Sequence, residues 1–142
     1  MIVLDTNVIS EFMRPAPSAA VERWMSAVPA ASIFISSITE AELRYGLALL
    51  PASRRQRQLI AQAEAMLAED FAGRILPFDS SAAAAYARIA AARRLAGRPI
   101  SQSDAQIAAI AVSRGASLAT RNVGDFVDCG INVIDPWRKG AR

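Results

Sequence analysis

The chain has 142 residues, 53% hydrophobic and only 6% aromatic, with a net charge of +3 and a pI near 9.7. That length suits one domain burying about 68–70% of its unfolded surface, with a core of Ala, Leu, Ile and Val. No apolar run approaches the roughly 18 residues of a membrane span, Ile2 to Leu4 is too short for a signal peptide, and a single cysteine, Cys129, excludes an internal disulfide or a thiolate cage, so a soluble cytoplasmic protein is expected.

The predicted elements alternate strand and helix. Ile2–Leu4 is a short buried strand that ends on Asp5, Thr6 and Asn7, followed by a helix over Val8–Met13 that Pro15 and Pro17 break. A helix over Ala19–Ala27 leads to a strand at Ser32–Ser36 and a helix over Glu40–Leu50, which Pro51 ends. Next come a helix over Arg54–Phe71, a strand at Arg74–Pro77 and a helix over Ala82–Ala96, closed by Gly97 and Pro99. In that last helix Tyr86, Ile89, Ala90 and Arg93 follow a 3.6-residue period. A helix over Asp104–Arg114 and strands at Ser117–Thr120 and Asn132–Ile134 complete the chain. With no repeat and no linker, residues 1–142 read as one domain.

Strands joined by helices predict a three-layer α/β/α domain around a parallel sheet of four to five strands. Right-handed crossovers bring every strand's C-terminal end to one edge, where such sheets bind ligands at the switch in strand order. Asp5 lies at that edge.

Three other acids hold comparable positions: Glu42 in TEAELRYG, Asp104 in SQSDAQIAAIA and Asp125 in LATRNVGDF. Thr39 with Glu42, and Ser101 with Asp104, match the capping-box spacing, and Asp5 is placed to cap the helix after it. Each acid alone is thus accounted for by helix initiation, a role worth about 0.5–2 kcal/mol of stability. Together they raise a different problem. Unit charges about 4 Å apart repel by about 1 kcal/mol in water and about 4 kcal/mol at an effective dielectric of about 20. Four acids gathered at one rim therefore call for a proton or a cation. The chain has no histidine, which removes serine–histidine and cysteine–histidine catalysis and imidazole-ligated metals. An all-oxygen donor set points to a hard ion, magnesium or manganese. Fifteen arginines against one lysine, Lys139, give weak support for a phosphate-bearing or acidic partner.

The strings DTNVISE, ITEAELRYG, SQSDAQIAAIA, LATRNVGDF and NVIDPW, in this order across nearly the whole chain, resemble the PIN-domain ribonucleases, specifically the VapC-type toxins and the FitB-like proteins among them. The resemblance implies a PIN-like α/β/α fold and a Mg- or Mn-dependent endoribonuclease that cuts RNA internally as the toxin of a toxin–antitoxin pair. It implies metal ligation by Asp5 and Asp104, and further catalytic carboxylates at Glu42 and Asp125. Asn122 competes with Asp125 for the fourth place, and the number of ions, one or two, stays open. Thr6 and Thr120 resemble hydroxyls that orient water or metal, while Glu42 or Asp125 would orient the attacking water. Glu11, Glu40, Asp79 and Asp128 match nothing catalytic and read as surface or capping residues. Arg44 and Arg121 are candidate phosphate contacts, with solvated charge as the plainer account of either. Phe126 is the only aromatic expected near the site, and it reads as core.

The helical hairpin around Leu43–Phe71 carries more apolar residues than one domain needs, notably in LRYGLALL and LIAQAEAML. The resemblance implies a homodimer, possible larger assemblies, and a cognate VapB- or FitA-like antitoxin whose C-terminal segment covers the site groove. Two other classes compete. A response-regulator receiver, with Asp79 as phospho-acceptor, needs an acidic pair after the first strand and a lysine near the last. Here Asp5 is followed by Thr6 and Asn7, and Lys139 is in the tail. A PIN-fold binding module that cuts nothing is the other alternative, and retention of all four acids argues against it.

Overall fold

A computed structural model describes residues 1–141. Five parallel strands form one sheet in the order β3-β2-β1-β4-β5. They are β1 (Ile2–Leu4), β2 (Ile33–Ser36), β3 (Ile75–Leu76), β4 (Ser117–Ala119) and β5 (Val133–Ile134). Among the described residues six α-helices connect and cover them: α1 (Thr6–Phe12), α2 (Ala19–Ala27), α3 (Ser37–Ala48), α4 (Arg54–Ala65), α5 (Ser80–Leu95) and α6 (Gln102–Ser113). Among the described residues no helix is long and apolar enough to cross a membrane.

β1 sits centrally, with Val3 paired to Phe34 of β2 on one side and to Leu118 of β4 on the other. The chain first winds outward through β2 and β3, then returns to add β4 and β5 on the opposite side of β1. The strand order therefore reverses between β1 and β4, which opens a crevice at their C-terminal ends.

Alternation along the short strands sends successive side chains to two separate cores. Val3 and Leu118 pack with Ala85, Ile89, Ile107 and Ile110 under α5 and α6. Leu4 and Ala119 pack with Val8, Ile9, Val21, Ile35 and Leu43 on the other face. Helix α6 is buried nearly all round, at Ala105, Ile107, Ala108, Ala109, Ile110 and Ala111. Its alanines let it lie closely between the sheet and α5, because a methyl group adds little bulk at the crossing.

Most predicted elements are found where periodicity puts them, and the differences lie at element ends, chiefly helix starts. Helix α1 begins at Thr6 because Asp5, in extended conformation (φ −71°, ψ 159°), accepts from the Thr6 N–H. Helix α3 follows β2 without a break. Ser36 is its cap, its hydroxyl accepting from the Thr39 N–H at 3.0 Å. Thr39 is thus a buried residue inside the helix, and the capping box expected between Thr39 and Glu42 does not exist. Asp79 does cap α5, accepting from the Ala82 N–H at 3.0 Å, and Ser101 caps α6, accepting from the Asp104 N–H at 3.2 Å. The long helix predicted to Phe71 changes to a π turn over Met66–Asp70, closed by the Phe71 N–H on the Met66 carbonyl.

Arg93 departs from its apolar neighbours on α5. It is buried, and its guanidinium donates to the carbonyls of Arg98, Asp125 and Val127 at 2.8, 3.0 and 3.0 Å. The charge is neutralised by peptide dipoles rather than by an acid, and it ties the short 3-10 turn Val123–Phe126 to the end of α5.

Candidate active site

A groove of about 540 Å³ opens at the crevice between the ends of β1 and β4, and Asp5, Glu42, Asp104, Arg121 and Asn122 all line it. Asp5 is its deepest acid, 5% exposed. Parallel pairing brings it there. Its own N–H donates to the Ala119 carbonyl at 2.8 Å, so the residue after β1 stands beside the residue after β4.

Both Asp5 carboxylate oxygens are held. Oδ1 accepts from the Thr6 N–H at 2.8 Å, while Oδ2 accepts from the Thr120 hydroxyl at 2.7 Å and from Asn7 Nδ2 at 3.4 Å. Thr120 is fully buried, and its Oγ1 also accepts from Asn7 Nδ2 at 3.3 Å and from the Asn122 N–H at 3.1 Å. Asn7 closes the ring, since its Oδ1 accepts from the Arg121 N–H at 3.3 Å. The start of α1 and the segment after β4 are thereby locked to one carboxylate.

Burial raises the Asp5 pKa above its ordinary value. The hydrogen bonds from Thr120 and Thr6 oppose that rise, and the nearby charges of Asp104 and Glu42 add to it. Asp104, in the first turn of α6, is also raised by burial, with the Ser101 hydroxyl opposing and Asp125 adding. Glu42 is exposed and projects from α3, where its Oε1 accepts from the Thr6 hydroxyl at 2.9 Å. The Thr6 oxygen lies 3.1 Å from that of buried Thr39, so α1 and α3 are joined at the groove wall.

Asp125 and Asn122 divide their roles. Asn122 lines the groove. Asp125 is exposed on the 3-10 turn outside the lining, close enough to Asp104 to raise its pKa. Arg44 is turned away. It pairs with Glu40 at 2.9 Å on its own helix and with Glu64 of α4, and it does not line the groove.

Glu11, read as a surface or capping residue, is buried, and accepts from the Ser18 N–H at 3.0 Å and from Arg14 at 3.2 Å. The Ser18 hydrogen bond is the chief reason its pKa is lowered. Phe126 is buried core, as expected, but it is not the aromatic of the site. That residue is Trp137, which lines the groove together with the acids. Asn7, Ser10, Glu11 and Arg14 complete the wall. The DTN string that marks Asp5 also contained Asn7, and NVIDPW ends on Trp137, but no local pattern placed that ring at the groove.

Among the described residues no three acidic or cysteine side chains stand close enough to hold an ion as a set. The donors nevertheless suit a hard ion. All are oxygens, the charges of Asp104 and Glu42 add to the rise in the Asp5 pKa that burial causes, and magnesium characteristically takes one or two carboxylates and keeps several waters. Asp5 and Asp104 fit that pattern.

Residues 2–128 match the PIN domain family. The chain is 42% identical over 137 residues to the VapC ribonuclease Y4jK of Sinorhizobium fredii, an alignment covering 96% of this chain and 98% of that one. It is also 42% identical to the toxin FitB of Neisseria gonorrhoeae, covering 96% and 99%. The crystal structure of FitAcB from Neisseria gonorrhoeae superposes with a TM-score of 0.92 at 41% identity, over 98% of this chain and 100% of that one. A five-stranded parallel sheet with acids collected at the β1/β4 crevice, together with these matches, establishes that the chain belongs to the PIN-domain family.

Proposed function

We propose that this chain is a toxin endoribonuclease that hydrolyses RNA phosphodiester bonds in the groove, with magnesium or manganese held by Asp5 and Asp104. The observation that carries this is the Asp5 carboxylate, fixed through both oxygens and raised in pKa first by its burial and further by the charges of Asp104 and Glu42. A helix cap has no need of Asp104 and Glu42 beside it. The naming of the Sinorhizobium relative as a ribonuclease and of the Neisseria relative as a toxin supports the same reading.

When bound, the ion supplies positive charge for the phosphate oxygens and a water of lowered pKa. The protein groups supply orientation. Thr120 and Asn7 stop Asp5 from rotating out of the groove. Thr6 occupies Glu42 Oε1 and leaves Oε2 to accept from the attacking water. As the water oxygen bonds to phosphorus, its proton passes to Glu42. The bond to the leaving ribose oxygen breaks, and that oxygen takes a proton from solvent. Ionised carboxylates only accept hydrogen bonds, so the phosphate that is cut must be met by a donor such as Asn122, which lines the groove.

A cognate antitoxin is the partner that belongs with this activity, and an RNA target sets its work in the cytoplasm. A homodimer would cover the apolar side chains of the α3–α4 hairpin, where Tyr45 and Leu49 are 68% and 67% exposed and Leu50 and Ile60 are exposed as well.

The test is cleavage of total cellular RNA by the purified chain. Cutting in magnesium, its loss in EDTA, and its loss in Asp5→Asn and Asp104→Asn are expected. Cutting that persists in Asp5→Asn contradicts the proposal.

A further inference from the structure

The groove has an aromatic wall for which the carboxylates provide no reason. β5 ends at Ile134, and the Asp135 Oδ1 then accepts from the Trp137 N–H at 3.0 Å across buried Pro136. That turn brings Trp137 to the C-terminal edge of the sheet. β4 is the neighbour of β5, and Arg121 leaves the same edge just after Thr120. The Arg121 guanidinium carbon lies 5.1 Å from the centroid of the Trp137 ring. The indole also packs against the core cluster that contains Leu4, Val8 and Ile9, so it is fixed from below while the guanidinium rests on it.

Two facts separate Arg121 from the other basic residues at this rim. Arg14 is engaged by buried Glu11. Among the described residues, Arg121 has neither an acceptor for its guanidinium N–H groups nor an ion-pair partner, although Asp5, Glu42 and Asp104 line the same groove. Its main chain is pinned by Asn7, and its side chain is laid flat by Trp137. A planar cation held in this way keeps its N–H edge for a phosphate and one face for a base.

We infer that Arg121, laid on Trp137, is a nucleotide subsite of the groove. It forks onto an RNA phosphate next to the one that is cut and gives the adjoining base a plane on which to stack. Trp137 is a positioning residue that acts through Arg121. The inference rests on the ribonuclease reading, since it assigns the place of the strand beside the carboxylates.

The test is binding of a fluorescein-labelled single-stranded oligouridylate to the full chain carrying Asp104→Asn, which separates binding from cleavage. Anisotropy is followed across a salt series. Arg121→Ala should weaken affinity about tenfold, within the range of one base stacked on a protein plane. It should also reduce the slope of log K against log salt by about 0.7, the share of one phosphate on a single strand. Arg121→Lys should keep the slope and fail to restore the affinity, because a point charge offers no plane. Trp137→Leu should weaken binding in the parent and add nothing to Arg121→Ala. Arg121 is exposed, so its variants decide the matter even if Trp137→Leu folds poorly. Unchanged affinity and slope in Arg121→Ala overturn the subsite, whether or not wild type cuts RNA. A full Trp137→Leu effect in the Arg121→Ala background overturns the positioning role. Weakened binding in Arg121→Ala alongside a wild type that cuts no RNA supports the subsite and counts against the ribonuclease reading instead.

Discussion

The Thr120 hydroxyl donates to Asp5 Oδ2 at 2.7 Å, joining residues 115 positions apart across the switch between β1 and β4. The same oxygen accepts from Asn7 and from the Asn122 N–H, so one hydroxyl satisfies a carboxylate, an amide and a peptide group. Thr120→Val keeps the shape and removes the donor and the acceptor together. A loss of about 1–3 kcal/mol in urea unfolding is expected, because the groups left behind are buried or partly buried. RNA cleavage should fall with it, and Thr120→Ser should restore both. A Thr120→Val protein with unchanged stability would mean that water replaces the hydroxyl.

Glu42 separates chemistry from folding. It is exposed, and its Thr6 hydrogen bond survives in Glu42→Gln because the amide oxygen still accepts. Melting should shift by no more than about 0.5 kcal/mol, the usual range at a surface position. The cleavage rate should drop by about 100-fold or more, the scale of a lost general base. Wild-type turnover in Glu42→Gln would remove Glu42 from the mechanism.

Stability should respond to pH in opposite senses with and without metal. Asp5 and Asp104 titrate above their ordinary value of 3.8 in the folded chain. The native state therefore holds more protons than the unfolded one between 3.8 and the raised values, and the stability this gives is lost as pH rises through them. In EDTA, these two groups should lower stability across that window. In excess manganese the ionised pair is the binding form, so the metal-induced rise in melting temperature should grow as pH increases. Thermal melts with EDTA or manganese at several pH values check this, and a metal response independent of pH in Asp5→Asn and wild type alike would contradict it.

Two arginines should behave oppositely. Arg93→Met leaves three carbonyls without their donor inside the fold, and a loss of about 2–4 kcal/mol is expected. Arg44→Ala breaks only exposed ion pairs with Glu40 and Glu64, where about 0–1 kcal/mol is at stake, and should leave RNA affinity unchanged. Denaturant melts and anisotropy on the two variants provide the check.

The order of strands and helices was legible because each short apolar run and each 3.6-residue stripe is a local signal. The position of Asp5 at the sheet edge followed from the end of the run Ile2–Leu4 and from the handedness of the crossovers. Thr39 was misjudged because its spacing to Glu42 imitates a cap, whereas the extended Ser36 at the end of β2 takes that place. Arg44 looked like a phosphate contact because its partner Glu64 lies 20 residues on, across a hairpin whose packing angle no local pattern gives. Glu11 became buried for a similar reason, since the chain doubles back through Pro15 and Pro17 and offers it the Ser18 N–H. Trp137 was missed because only the pairing of β5 with β4 brings it beside Arg121.

The direct measurement of the central claim is manganese binding by electron paramagnetic resonance at neutral pH. Wild type should take up the ion, and Asp5→Asn and Asp104→Asn should each lose most of that affinity while remaining folded. Undiminished binding in both variants would show that these two carboxylates do not hold the metal.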